Sequence, residues 1–169
     1  NYLETNTPFV CYVKPNETVW NLLVQQNDEI IEFSNQAGFV FMPFHEGKQL
    51  VIPFEGNSFS QGNIEKLEQK LSENITTQTN QKEAFENLVS KGVSAIQNNE
   101  FQKVVLSRKI VLKEQIAIVE TFQNLISTYP TAFRYIFFHP KIGLWMGATP
   151  EQLVKINQNQ FETVALAGT

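Results

Sequence analysis

Hydrophobic residues in the first third of the chain occur in short runs, and proline, glycine or asparagine separates one run from the next. Short runs rich in β-branched and aromatic residues, with such separators, are typical of antiparallel β-strands. We therefore predict strands at 8–13, 29–33, 38–44 and 49–54.

Helical spacing of apolar residues appears in three later segments. The longest is predicted over 83–98, where apolar residues recur at intervals of three and four and Asn98-Asn99 ends the pattern. Its apolar face consists of Phe85, Leu88, Val89, Val93 and Ile96. A second helix is predicted over 116–129, because Pro130 cannot continue a helix. A short amphipathic helix is predicted from the spacing of Ile64, Leu67 and Leu71.

The remaining hydrophobic segments again have the composition of strands. The segment 102–112, QKVVLSRKIVL, is rich in valine, leucine and isoleucine, which suits a strand with at least one buried face. Further strands are predicted at 133–139, 144–148, 151–157 and 160–166, and the short turns between them imply antiparallel neighbours. The pattern predicts an α+β fold of mostly antiparallel sheets with helices packed outside them.

Composition excludes several classes of partner. The chain has 169 residues, a net charge of −4 and only two arginines, so nucleic acid is not an expected partner. Its apolar runs are too short to cross a bilayer, and no signal peptide is visible. A single cysteine, Cys11, cannot form an intrachain disulfide. These observations predict a cytoplasmic protein.

Few residues stand out as functional when each is considered alone. Lys103, at the start of a predicted strand, and Glu151, after a turn, are of types that are usually solvated. His45 and His139 lie near predicted loops without the spacing of metal ligands, so we interpret both as surface or turn residues. Cys11 lies in an apolar strand and is interpreted as a small core residue.

Three motifs change this picture when they are considered together. K-V-V-L-S-R at 103–108, G-A-T-P-E at 147–151 and A-L-A-G-T at 165–169 occur in this order. In these motifs the chain resembles the chorismate-utilising enzymes, a family of isochorismate, salicylate, anthranilate and aminodeoxychorismate synthases. The resemblance is specific from about residue 82 to residue 169.

The resemblance implies a role for one residue in each of the first two motifs. Lys103 matches the general base of isochorismate and salicylate synthases, where anthranilate synthases typically have glutamine. Glu151 matches the family's general acid. In isochorismate formation, water adds at C2 of chorismate, the ring double bonds shift and the C4 hydroxyl leaves. A base must take a proton from water and an acid must protonate the leaving hydroxyl, and each step is worth about 10²–10⁴-fold in rate.

The third motif bears on substrate binding. Ala167 occupies the place of a lysine that attacks the substrate covalently in many aminodeoxychorismate synthases, which disfavours that route. The resemblance implies that Gly168 contacts a substrate carboxylate through its backbone. Ala167 and Thr169 flank this contact as further candidate substrate-binding residues.

Much of the family's active site lies beyond this motif. The resemblance implies Mg²⁺ as cofactor, with its carboxylate ligands downstream of Thr169, so no metal ligand is predicted within the chain. We expect the N-terminal part of a longer enzyme: a strand-rich region at 1–80, then the first part of the catalytic domain at 81–169. Alone, this fragment is expected to be inactive, to expose apolar strand surface and to self-associate through that surface.

Several functions fit these residues. The leading interpretation is isochorismate synthase, acting on chorismate for menaquinone or siderophore synthesis. Salicylate synthase shares Lys103 and Glu151 and then eliminates pyruvate. Anthranilate synthase component I predicts glutamine at position 103 and an amidotransferase partner. The alternative outside enzymes is a non-catalytic fragment in which the motifs are scaffold only.

Overall fold

The computed structural model describes residues 2–43, 45–65, 80–112, 116–152 and 154–164. The chain divides into two compact units. The first comprises residues 1–70 and 117–169, and the second comprises residues 71–116. The predicted division between 1–80 and 81–169 rested on the resemblance, and it stays a prediction.

Among the described elements, α1 belongs to the second unit and all others belong to the first. In chain order the described elements are β1 (Phe9–Val13), β2 (Val19–Val24), β3 (Gly38–Phe41), β4 (Leu50–Pro53), β5 (Ser58–Asn63), α1 (Asn80–Gln97), α2 (Ile118–Thr128), β6 (Phe133–His139), β7 (Gly143–Thr149), β8 (Lys155–Asn157) and β9 (Gln160–Glu162). Five strands form an antiparallel sheet in the order β5-β2-β1-β6-β7, while β3–β4 and β8–β9 are hairpins. The predicted α+β fold with mostly antiparallel sheets is confirmed.

Helix α2 covers one face of the five-stranded sheet. Successive side chains of a strand point to opposite faces, so Phe9 and Val13 of β1 share this face with Ile136 of β6. These three residues are buried in one cluster with Phe122 and Ile126 of α2. Burial of an apolar side chain of this size stabilises the fold by about 1.5–3 kcal/mol.

The β3–β4 hairpin covers the opposite face. Val10 and Leu23 are fully buried there and form a cluster with Phe137 and Ile52. The ring of Phe41 stacks on that of Phe137, with centroids 4.7 Å apart. Each face of the sheet therefore has its own apolar cover.

Strands β2 and β5 were not predicted from the sequence. Strand β2 carries the polar Asn21 inside an apolar run, and β5 (SFSQGN) is polar and largely exposed. Backbone pairing with β2 holds β5 at the edge of the sheet. Gln61 adds a side-chain hydrogen bond of 2.6 Å to Asn21 Oδ1. An edge strand whose side chains face water lacks the hydrophobic alternation by which a strand is recognised.

The second unit contains α1, whose end was predicted at Asn98-Asn99. Asn99 adopts a left-handed conformation with φ of 61°. Its N–H donates to Ile96 O at 3.0 Å, and the N–H of Glu100 donates to Ala95 O at 3.0 Å. These two bonds form a Schellman motif, which asparagine accommodates better than most residues. The predicted end of the helix is confirmed.

Two predicted strands are wrong. Residues 29–33 form only an isolated bridge between Glu32 and Leu50, and residues 101–112 contain no strand or helix. A strand depends on hydrogen bonds to a neighbouring strand. No strand in the described part of the chain pairs with 102–112, so its β-forming composition is not realised there.

The last two predicted strands are shorter in the structure. The one expected at 151–157 is present only as β8, and the one expected at 160–166 only as β9. Residues 165 and 166 lie outside the described residues, as do Leu67 and Leu71 of the predicted short helix.

Candidate functional site

Lys103 lies in the second unit, on the segment 101–112 that follows α1, and its side chain is exposed. The sequence predicted that a paired strand would hold this lysine. The structure corrects that expectation, because the described segment has no strand partner.

Packing against α1, rather than strand pairing, holds the segment around Lys103. Val104 and Leu106 pack over Gly92, so a Cβ atom built on that glycine would lie 3.3 and 3.4 Å from their side-chain carbons. A larger residue at position 92 would push the segment away from the helix.

Arg108 extends this packing along the helix. Its guanidinium carbon lies 5.7 Å from the centre of the Phe85 ring, a cation–π contact. Residues 104, 106 and 108 thus face α1 with a period of two, which is typical of an extended chain. Val105, between them, is 76% exposed. Lys103 and Val105 therefore occupy the side of the segment that faces away from the helix.

The sequence led us to expect exposed apolar strand surface; this segment is not a strand, but it does expose apolar side chains. Val105 and Val111 are 76% and 68% exposed, and both lie at positions that alternate with the helix-facing ones. Self-association through this surface stays a prediction.

Glu151 lies in the first unit, immediately after β7 and Pro150. Its side chain is exposed, and its backbone N–H donates a 3.3 Å hydrogen bond to Thr149 Oγ1. This bond closes a short turn at the end of β7. The strand ends there because Pro150 has no N–H to donate to a neighbouring strand. The turn fixes the backbone of the residue that the resemblance names as the acid.

The glycine of the same motif has a packing role. Gly147 pairs directly with Tyr135 of β6. A Cβ atom on Gly147 would lie 3.0 Å from the Tyr135 ring and 3.3 Å from its hydroxyl oxygen. The tyrosine ring therefore lies over the glycine backbone, and burial raises the pKa of the Tyr135 hydroxyl. This contact accounts for the presence of glycine at position 147. No comparable packing contact in the described residues accounts for glutamate at position 151.

The predicted site residues are divided between the units. Lys103 belongs to the second unit and Glu151 to the first, and each is described within its own unit. Ala167, Gly168 and Thr169 lie outside the described residues. Their proposed part in substrate binding stays a prediction.

Sequence reasoning missed the buried arginine of β6. Arg134 is 2% exposed and points to the α2 face of the sheet. Its Nη1 donates to Ile126 O at 3.3 Å, near the end of α2, and its Nη2 donates to Lys14 O and to Glu17 O. Burial lowers the pKa of this guanidinium, while the Glu17 carboxylate raises it.

The arginine therefore joins one helix end to the β1–β2 turn. The signal that could have found it is its position within FRYIFFH, where it alternates with apolar residues that face the core.

His139 and Cys11 differ from each other in how well they were predicted. His139 was interpreted as a surface or turn residue. It does begin the β6–β7 turn, where the N–H of Ile142 donates to its carbonyl oxygen at 2.9 Å, but it is only 3% exposed, so the surface part of that interpretation is wrong. Cys11 is half-buried in β1, and burial raises the pKa of its thiol to about 11. A thiol in that state is a packing residue rather than a nucleophile.

A cleft of about 690 Å³ opens on the α2 side of the sheet, and it is mostly apolar. Its lining includes Cys11, Trp20, Leu22, Phe122 and Ile136. Ile64 and Glu65 also line it and directly precede residues 66–79, which lie outside the described residues. Neither Lys103 nor Glu151 lines this cleft.

Two further features are absent from the described residues. No group of three or more histidine, cysteine, aspartate or glutamate side chains there is arranged to hold a metal ion. No described helix has both the length and the apolar character needed to cross a bilayer.

The chain is similar to one protein family and to two characterised proteins. Residues 19–169 match the family model described as chorismate binding enzyme. Anthranilate synthase component 1 of Lactococcus lactis subsp. lactis (strain IL1403) is 26% identical over 146 residues, which cover 75% of this chain and 32% of that protein. Anthranilate synthase component 1 of Archaeoglobus fulgidus is 27% identical over 88 residues, which cover 52% of this chain and 21% of that protein. No solved structure matches the chain.

The family match includes both motifs that carry Lys103 and Glu151, and it covers most of the chain. The chain spans about a third of the length of the first relative and about a fifth of the second. Because the family model covers residues 19–169, the chain belongs to the chorismate-binding enzyme family.

Proposed function

We propose that these residues act within an isochorismate synthase of a length comparable to the relatives. The observation that carries this proposal is a lysine at position 103, on the outward side of the K-V-V-L-S-R segment. The resemblance assigns lysine at this place to enzymes in which water is the nucleophile.

The proposed reaction consumes one water and releases another, so chorismate is isomerised. The neutral amine of Lys103 takes a proton from the water that attacks C2. The carboxyl of Glu151 protonates the C4 hydroxyl, which leaves as water while the ring double bonds shift. Each proton transfer is expected to contribute about 10²–10⁴-fold to the rate.

The exposure of Lys103 places a condition on this proposal. A lysine amine acts as a base only where burial or nearby positive charge favours its neutral form. Within its own unit the described Lys103 side chain faces solvent. The proposal therefore requires further protein to cover the outward side of the segment in the working enzyme.

Magnesium enters the proposal only as an expectation of the family resemblance. The described residues do not form a metal site, so no step above is routed through a metal ion. We propose that the ligands of Mg²⁺ belong to residues other than those described. The cytoplasmic location and the pathway that uses the product likewise stay predictions.

A product assay on the longer protein that contains these residues tests the proposal. With chorismate and Mg²⁺, Lys103→Ala is expected to reduce kcat for isochorismate by about 10²–10⁴-fold while KM changes only a few-fold. Glu151→Gln is expected to lose a similar factor, because an amide cannot protonate a leaving hydroxyl. The double variant should be little worse than either single variant, since both groups serve one displacement.

The second candidate function is anthranilate synthase component 1, because two relatives carry that name. The same assay with ammonium salts distinguishes the two. Anthranilate from the unaltered protein would favour the second candidate, and isochorismate would favour the first. Lys103→Gln introduces the residue typical of anthranilate synthases, so it is expected to abolish water addition. Isochorismate formation by Lys103→Ala at nearly the unaltered rate would refute the proposed base.

A further inference from the structure

The end of strand β6 is joined to a distant loop through one buried imidazole. His139 is the last residue of β6 and is 3% exposed. The backbone N–H of Lys141 donates to its Nδ1 at 3.2 Å. A nitrogen that accepts a hydrogen bond carries no proton, so the proton of the neutral ring lies on Nε2. Nε2 in turn faces the carbonyl oxygen of Glu29 at 3.5 Å.

Two further contacts hold the same loop, residues 25–33. Gln25 is 2% exposed, and its Nε2 donates to the same Glu29 carbonyl at 2.7 Å. Lys141 Nζ donates to Asp28 O at 2.7 Å and lies 3.2 Å from Asp28 Oδ2. The carbonyl oxygen of Glu29 is therefore contacted both by Gln25, within the loop, and by His139, at the end of β6.

Protonation of the imidazole would break part of this arrangement. Both ring nitrogens of an imidazolium are donors, so Nδ1 would face the N–H of Lys141 donor to donor. The new charge would be buried and close to the Lys141 ammonium. The residues of β3 and β4 that line the same small cavity as His139 include Phe39, Phe41 and Ile52, which carry no charge.

The surroundings of His139 shift the pKa of its imidazole in opposite directions. Burial lowers the pKa of the imidazole, and the Lys141 ammonium lowers it further. The hydrogen bond to the Glu29 carbonyl and the Asp28 carboxylate both raise it. The lowering effects dominate, which agrees with the neutral ring that the Lys141 contact requires.

We propose that His139 is an acid-sensitive latch, whose neutral imidazole is buried between the 25–33 loop and the end of β6 and whose protonation favours a state in which the loop has moved away. The Nε2–H donor to Glu29 O is present in both protonation states, so release follows from the burial of the new charge and from the loss of the Lys141 bond to Nδ1. The loop leads into β3, whose Phe39 and Phe41 cover Phe137 on this face of the sheet. Release of the loop therefore loosens one end of the cover over the sheet.

The direction of the effect follows from the two protonation equilibria. The exposed histidine of the open state has an ordinary pKa of about 6.5, and the latched one has a lower value. The closed state keeps its full advantage above about pH 6.5 and loses it as the pH falls toward the lowered pKa. The open fraction is expected to rise by up to about tenfold for each unit of pH in that window.

Hydrogen exchange of the 169-residue chain at about pH 7.5 and about pH 5 tests the latch. After correction for the intrinsic pH dependence of exchange, the amides of 25–33 and of Lys141 are expected to lose protection at the lower pH, by up to about tenfold for each unit of pH below about 6.5. The amides of β1, in the centre of the sheet, should not change. His139→Gln keeps a donor and an acceptor but does not titrate, so it should remove the acid-dependent loss.

The chain has one other histidine, which supplies the control. His45→Gln should leave the acid-dependent loss of protection unchanged. If His139→Gln does not fold, the unaltered chain still decides the question by ¹⁵N NMR of its two imidazoles. The latch requires an Nε2-protonated His139 that titrates together with the exchange of 25–33. Constant protection between the two pH values, or acid-dependent loss that persists in His139→Gln, would overturn the proposal.

Discussion

Strand β6 and the segment 101–112 both have a β-forming composition, but their surroundings are very different. Strand β6 pairs with β1 on one side and β7 on the other, and both of its faces are covered. The segment 101–112 packs one side on α1 and leaves the other side exposed. The difference shows that β-forming composition becomes a strand only where a neighbouring strand supplies hydrogen bonds.

Substitutions in the two regions are therefore expected to affect different properties. In β6 nearly every side chain is fixed by packing, so a substitution there should act on folding. On the outward side of 101–112 few side chains are fixed by their own unit, so a substitution there should act on what the segment contacts. Matched substitutions in the two regions can test this division.

The largest difference is expected between the two arginines. Arg134→Ala removes donors from Ile126 O, Lys14 O and Glu17 O and leaves a cavity beside α2, so it should reduce the free energy of unfolding by about 2–4 kcal/mol. Arg108→Ala removes one exposed cation–π contact and should lower it by about 0.5–1 kcal/mol. Urea unfolding followed by far-UV circular dichroism measures both. Equal losses would contradict the division.

Thiol reactivity is expected to give the next largest contrast. Burial raises the pKa of Cys11 to about 11, so at about pH 8 its thiolate fraction should be about a hundredfold below that of an unburied thiol. Ser107→Cys in a Cys11→Ala background places the reference thiol at an exposed position of the segment. Rates of alkylation by iodoacetamide measure the ratio. The Cys11 rate should rise tenfold per unit of pH until about pH 11, and similar rates at about pH 8 would show that β1 opens readily.

One substitution can be made identically in both regions. Val10 is fully buried and Val105 is 76% exposed. Val10→Ala removes two buried methyl groups and leaves a cavity, so it should cost about 2 kcal/mol. Val105→Ala should change stability by less than about 0.5 kcal/mol. The fluorescence of Trp20 and Trp145 follows unfolding of the first unit, and hydrogen exchange of α1 follows the second. A loss above about 1 kcal/mol for Val105→Ala would mean that its exposed face is covered in solution.

The two regions also show which features the sequence could predict. The strand 133–139 was predicted to the residue, because its run of aromatic and aliphatic residues is nearly continuous and turns bound it on both sides. The prediction of a strand at 102–112 was wrong, because composition measures the preference of a segment for β-structure and not the presence of a neighbouring strand. Strand β5 was missed for the converse reason, since it has a partner but almost no apolar side chains.

The candidate site divides in the same way. Family motifs located Lys103 and Glu151, which local patterns alone could not distinguish from solvated residues. The contact of Gly147 with Tyr135 and the buried contacts of Arg134 were beyond the sequence, because each joins residues that only the sheet pairing brings together. His139 was misread because its position beside a turn hides how deeply the turn is packed.

Substitution of Lys103 is expected to have the smallest effect on stability. The same substitution is the most informative about function. In the 169-residue chain, Lys103→Ala should change the free energy of unfolding by less than about 0.5 kcal/mol, because the side chain is exposed. Lys109→Ala, an exposed lysine on the same side of the segment, is the matched control and should be equally neutral. Circular dichroism and hydrogen exchange of α1 measure both variants.

In the longer enzyme proposed above, the same pair separates a base from a solvated lysine. If Lys103 takes the proton from water, only Lys103→Ala should lose activity, by about 10²–10⁴-fold, while Lys109→Ala keeps it. A residue that is dispensable for folding and required for turnover acts through chemistry and not through packing. Equal activity of the two variants would instead leave Lys103 as one solvated lysine among others. Destabilisation by Lys103→Ala above about 1 kcal/mol would show that its side chain packs in the folded chain, contrary to the exposure seen in its unit.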